Sequence, residues 1–115
     1  THSEEGNTDG LNFLPGTCIR FRSGDPELKV PHMGWNIVRV TQPHPILAHI
    51  RPGDEFYFVH SYHVVCEDLE QSIGIAKFDH TFTCMVNKEN IFGTQFHPEK
   101  SLRFGMEILL NFSKL

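Results

Sequence analysis

Ile91-Phe92-Gly93-Thr94-Gln95-Phe96-His97-Pro98-Glu99-Lys100-Ser101-Leu102-Arg103-Phe104-Gly105-Met106 is the stretch on which the fold turns, because the spacing of its apolar residues changes inside it. Residues 91–96 read as a strand, the second arm of a hairpin whose first arm is residues 82–86 and whose turn is the polar segment 87–90. Beyond His97-Pro98 the apolar residues Leu102, Met106, Leu109 and Phe112 lie three or four apart, which predicts one face of a helix from about residue 102, with Ser101 as its N-cap. The layout these patterns predict is strands followed by one closing helix.

Working outward, residues 55–65 contain the continuous apolar quartet Phe56-Tyr57-Phe58-Val59, the pattern of a central strand covered on both faces. Residues 73–78 predict a further short strand. In residues 18–22, Ile19 and Phe21 alternate with Arg20 and Arg22, a strand with one wet face. An irregular segment from Val30 feeds a strand at 36–40, and residues 23–29 and 42–52 read as loops. In the second of these, Pro43, Pro45 and Pro52 withhold backbone donors and preclude a central strand. Residues 1–16 are a polar lead-in ending at Pro15-Gly16. The expectation is one domain over residues 1–115, six or so strands with one C-terminal helix, and too few helices for a doubly covered strand.

Composition narrows the class. With 39% apolar and 21% charged residues, the 115-residue chain is globular rather than disordered. Ten Lys and Arg against 14 Asp and Glu give a net charge of −4, which argues against nucleic acid as a partner. No apolar run approaches the ~20 residues of a membrane span, so no membrane is expected and the default reading is a cytoplasmic protein. Cys18, Cys66 and Cys84 are odd in number and lack C-x-x-C spacing, which argues against a disulfide framework or a zinc site. The opening threonine hints at a piece of something longer.

The chemistry concentrates at His97-Pro98-Glu99. Pro98 biases His97 toward extended backbone, so the imidazole and the carboxylate two residues on project to similar sides. Such a carboxylate sets the ring's tautomer and stabilises the imidazolium, as a histidine needs in order to take a proton from a thiol and return it to a leaving amine. The bland alternative is a turn. Among the cysteines, Cys18 sits in Gly16-Thr17-Cys18, half of a nucleophile elbow without its second glycine. Cys66 precedes Glu67 and Asp68, whose charge raises a thiol pKa, and Cys84 alternates with Phe82 and Val86 as a core residue does. Among the eight histidines, His60 and His63 are an odd number apart and are expected on opposite faces of a strand, while His32, His44 and His49 fall in loops; no metal site is expected. Trp35 beside Met33 and Gly34 reads from the residues alone as a packing corner.

Gly93-Thr94-Gln95-Phe96-His97-Pro98-Glu99-Lys100-Ser101 resembles the G-x-Q-F-H-P-E-x-S motif of class I (triad) glutamine amidotransferases. Val30-Pro31-His32-Met33-Gly34-Trp35-Asn36, then Tyr57-Phe58-Val59-His60-Ser61-Tyr62, are similar in order and spacing to the glutaminase subunits of imidazole glycerol phosphate synthases. Ser3-Glu4-Glu5-Gly6 and Leu109-Leu110-Asn111-Phe112 fit as well, so the resemblance runs end to end. It implies an α/β fold, here the carboxy-terminal portion of a mixed sheet flanked by helices. It also implies a cofactor-free cleavage of glutamine's side-chain amide through a cysteinyl thioester, with ammonia passed to a (βα)8-barrel synthase subunit in histidine biosynthesis. By resemblance His97 is the general base and acid, Glu99 orients it, Glu5, Ser61 and Tyr62 hold glutamine, and Met33, Gly34 and Trp35 face the barrel. One departure stands out: the family's G-x-C-x-G-x-Q elbow, which precedes Ser-Glu-Glu-Gly, is not among these residues. The chain by itself is therefore expected to lack glutaminase activity, and its uncovered strands to favour a homo-oligomer. Two other readings stay open: a degenerate, non-enzymatic docking module, and a subunit that serves sugar amidation in surface-polysaccharide synthesis.

Overall fold

The computed structural model describes residues 1–11, 13–22 and 30–115; the expected loop at 23–29 lies outside them. The strands are β1 (His2–Ser3), β2 (Thr8–Asp9), β3 (Gly16–Arg20), β4 (His32–Ile37), β5 (Arg39–Val40), β6 (Glu55–His60), β7 (Tyr62–Cys66), β8 (Ser72–Phe78), β9 (His80–Lys88) and β10 (Ile91–Thr94), followed by one helix, α1 (Leu102–Ser113). The main sheet runs β2-β1-β3-β7-β9-β8-β5, with β10 also on β9, and β4 and β6 form a separate two-stranded ribbon. β1 and β3 are parallel while their neighbours pair antiparallel, so the sheet is mixed. This is the strand-rich α/β arrangement with one C-terminal helix that the sequence predicts.

Several boundaries move, each for a local reason. The polar lead-in is structured: Glu4 donates its N–H to the Cys18 carbonyl (2.9 Å) and its carboxylate accepts the Arg20 N–H (2.8 Å), which lays β1 along β3. The segment from Val30 is not irregular up to Asn36, because His32–Ile37 pairs along its whole length with β6. The expected 36–40 strand divides at buried Val38 into β4 and β5. Most consequential, residues 55–65 are not one central strand. They break at Ser61 into β6 and β7, which belong to different sheets. In β6 the side chains alternate, with Phe56, Phe58 and His60 buried and Tyr57 and Val59 only partly covered, so the apolar quartet is a one-faced strand whose other face meets partial cover.

The core gathers Phe21, Phe56, Phe58, Phe82, Phe96 and Ile108 between the ribbon, the main sheet and α1. Phe21 is its aromatic hub, with ring centroids at 5.3 Å from His60, 4.5 Å from His63, 5.1 Å from Phe78 and 5.2 Å from Phe82. The two 3-10 turns that matter for the site are Pro45–Leu47 and Pro98–Lys100.

The helix turns a different face inward from the one its apolar spacing suggests. Gly105, Ile108 and Asn111 are buried, whereas Leu102 is 74% exposed and Met106, Leu109 and Phe112 are exposed too. Backbone contacts decide the rotation. Gly105 lies against the Pro98 carbonyl, and the Asn111 amide donates to the carbonyls of Ile46 (2.9 Å) and Ala48 (2.7 Å), satisfying acceptors that no apolar side chain could serve. Nor does Ser101 cap the helix with its side chain; its hydroxyl is used elsewhere.

Candidate active site

The segment that follows β10 is built onto the free edge of β6. Gln95 donates its N–H to the Cys84 carbonyl (2.8 Å), and Phe96 sinks into the core against Phe56, with centroids 4.5 Å apart. The chain then crosses to Tyr57, whose carbonyl accepts the His97 N–H (2.9 Å) and whose N–H donates to the Ser101 hydroxyl (2.9 Å). That hydroxyl donates in turn to the His97 carbonyl (2.7 Å), which closes the Pro98–Lys100 turn from below. An edge strand's unmet backbone groups are thereby used to fix His97 in place.

In this frame His97 Nδ1 lies 3.0 Å from Glu99 Oε1. The carboxylate can only accept, so Nδ1 is the donor, and in the neutral ring this leaves Nε2 with the lone pair. Glu99's own backbone N–H, then the His97 ring, hold its carboxyl below the usual range. With His97 37% and Glu99 61% exposed in their side chains, the pair is open to solvent rather than sealed in the core.

A pocket of about 400 Å³ is lined by Glu5, Cys18, Arg20, Ser61, Tyr62 and Gln95, among others; it reaches toward the pair through Gln95, and His97 and Glu99 themselves are not in its wall. The three residues that the resemblance assigns to glutamine, Glu5, Ser61 and Tyr62, thus share one cavity, and Gln95 connects it to His97 two residues on. Ser61 reaches the pocket because the chain breaks there between β6 and β7. Arg20 escaped the sequence reading, since its alternation with Ile19 marked it only as a wet-face residue. Its guanidinium lies over the Tyr62 ring at 5.8 Å, and with Glu5 it gives the pocket one positive and one negative wall, a match for the two ends of a free α-amino acid.

The cysteines and histidines sort by burial. Burial, and then Asp68, pushes the Cys66 thiol up, so neighbouring charge is the lesser cause there. Buried Cys84 is pushed up to about 12. Cys18 is half-buried in the pocket wall, and among the described residues no cysteine is hydrogen-bonded to His97. His60 and His63 are not on opposite faces: the break at Ser61 resets the alternation, and both rings pack on Phe21. His32 is not in a loop but in β4, stacked between Phe58 (4.9 Å) and Phe78 (4.5 Å). Among the described residues no group of three or more His, Cys, Asp or Glu side chains is arranged to hold a metal. On β4 the alternation turns Met33, Trp35 and Ile37 outward; Trp35 is 45% exposed against Tyr57, and Gly34 adopts φ 123° beside open space.

Comparison with known proteins agrees with the motif. Residues 9–114 match the family model "Glutamine amidotransferase class-I". The chain is 48% identical to the imidazole glycerol phosphate synthase subunit HisH of Chromobacterium violaceum over 96% of its own length and 54% of the relative's. The corresponding HisH of Neisseria meningitidis serogroup B is 50% identical over 96% and 55%, and that of Salinibacter ruber 44% identical over 100% and 55%. The chain therefore spans about half the length of the curated relatives it matches. Among the described residues no helix is long and apolar enough to cross a membrane. Motif, mixed sheet and the match over residues 9–114 together place the chain in the class I glutamine amidotransferase family.

Proposed function

We propose that this chain supplies the general base and the glutamine-holding walls of a glutaminase that feeds ammonia to an imidazole glycerol phosphate synthase in histidine biosynthesis. The observation that carries the reading is the 3.0 Å His97–Glu99 contact held next to the pocket of Glu5, Ser61 and Tyr62. Glu5 pairs with the ammonium of glutamine; Ser61 and Tyr62, assisted by Arg20, take its carboxylate. His97 Nε2 removes the proton of a cysteine thiol, and the thiolate adds to the side-chain amide carbon. The imidazolium, steadied by Glu99, then protonates the departing nitrogen as ammonia and leaves a thioester, which water, deprotonated by His97, hydrolyses to glutamate.

The thiol belongs to a G-x-C-x-G-x-Q elbow, which these 115 residues do not contain. The purified chain is therefore expected to release no ammonia from glutamine. Supplied with a polypeptide bearing the elbow, it is expected to turn glutamine over, with His97→Ala lowering the rate roughly 10²–10⁴-fold. Turnover by the chain alone that His97→Ala abolishes would overturn the assignment of the thiol, and undiminished turnover by the complemented variant would overturn that of the base.

Met33 and Trp35, outward on β4 with Gly34 between them, mark the surface we assign to the (βα)8-barrel subunit, and the chain's exposed apolar surfaces, the outer side of α1 added to the uncovered strands, are expected to draw two copies together. Size-exclusion chromatography at micromolar concentration checks both. The chain alone is expected to run above its 13.2 kDa mass, and Trp35→Ala to weaken co-elution with the barrel subunit. A monomeric elution, or unchanged capture of the variant, would remove the corresponding surface.

A further inference from the structure

A line of hydrogen bonds joins the outward-facing ribbon to the pocket, and its direction can be read from the heavy atoms. Asn36 Oδ1 accepts the Ile37 N–H (2.8 Å), which identifies the other amide atom as nitrogen; it donates to the Lys77 carbonyl (2.8 Å) and to His32 Nε2 (3.3 Å). With Nε2 accepting, the one hydrogen of a neutral His32 sits on Nδ1 and points to His60 Nε2, 2.9 Å away. His60 Nε2 then accepts, so its hydrogen sits on Nδ1, 2.8 Å from the Tyr62 carbonyl. Each link fixes the next.

Both rings are buried, and burial favours the neutral form, drawing His32 down to about 4 and His60 below the ordinary histidine value. Each ring thus has one hydrogen and one lone pair, and both are committed. The line starts on β4, one residue from Trp35, and ends at the peptide carbonyl of a pocket residue.

We propose that His32 and His60 are positioning residues that tie the Ser61–Tyr62 wall of the pocket to β4, so that a partner pressing on β4 alters how glutamine is held. The coupling to glutamine rests on the function proposed above; the hydrogen-bond line itself does not.

Nuclear magnetic resonance of the chain with ¹⁵N-labelled histidine reads the line directly. Near neutral pH both rings are expected to carry hydrogen on Nδ1, and an Nε2–H or a doubly protonated ring at either position overturns the proposal without any substitution. Two variants then test transmission. His32→Asn places an amide nitrogen where Nδ1 stood and keeps a donor to His60; His32→Phe keeps a ring between Phe58 and Phe78 but has no donor. The His60 Nδ1 and Tyr62 carbonyl resonances are expected to move in His32→Phe and to stay near their original positions in His32→Asn, with glutamine affinity falling several-fold only in the former. A Tyr62 carbonyl unmoved in His32→Phe overturns the coupling. If the resonances respond as expected but the unsubstituted chain binds no glutamine, the assignment of the pocket fails and the histidine line stands.

Discussion

Alanine at position 105 is expected to cost the chain ~2–3 kcal/mol of stability, because its Cβ meets the Pro98 backbone and no side-chain rotation relieves the clash. A Cβ on residue 105 would fall inside the Pro98 carbonyl, 2.6 Å from its carbon and 2.9 Å from the Pro98 Cα. Alanine's better helix propensity, worth ~1 kcal/mol, offsets only part of that. To make room, α1 must draw back from the Pro98–Lys100 turn, and with it the anchoring of Ser101 beneath His97 loosens. Urea denaturation of Gly105→Ala against the parent checks the loss, and an unchanged midpoint would show that the helix does not sit as close as described.

Phe21→Ala is expected to cost ~3–5 kcal/mol, the range for emptying a fully buried phenylalanine site. Phe21 follows β3 directly, and its N–H donates to the Ser61 carbonyl (3.0 Å), a bond that alanine keeps. The ring is what is lost, and His60, His63, Phe78, His80 and Phe82 all pack against it. The cavity would open between the ribbon and the main sheet and admit water to two buried histidines. Calorimetric unfolding measures the effect; a loss below ~1 kcal/mol would mean that the surrounding rings close the gap.

What the sequence makes legible here is what is local. The His97–Glu99 contact follows from two residues flanking a proline, and the 3.0 Å separation is the one that local geometry suggests. The β9–β10 hairpin and the onset of α1 are similarly carried by short-range patterns. The break at Ser61 is not legible, because the apolar pattern runs through it without a glycine or proline to mark it. That one break has two consequences: the apolar quartet reads as a central strand where β6 is one arm of a ribbon, and counting residues puts His60 and His63 on opposite faces where both meet Phe21. The inward side of α1 departs from its apolar spacing for another reason. Apolar spacing weighs side chains alone, whereas the helix is seated by a missing side chain at Gly105 and by two carbonyls that need the Asn111 amide. Arg20 needed the tertiary structure, since nothing in its strand pattern separates a guanidinium over a pocket from one in water.

Tyr57 is the peptide that β6 lends in two directions at once: its strand pairs with Trp35 on β4, and both its N–H and its carbonyl are taken up by Ser101 and His97. A slip of one residue along that strand would carry Phe56, Phe58 and His60 out of the interior and unhook the imidazole in the same motion. Shape and reactivity are therefore inherited together at this position, and lineages that redesign the ribbon's outer surface can vary its side chains but not its length.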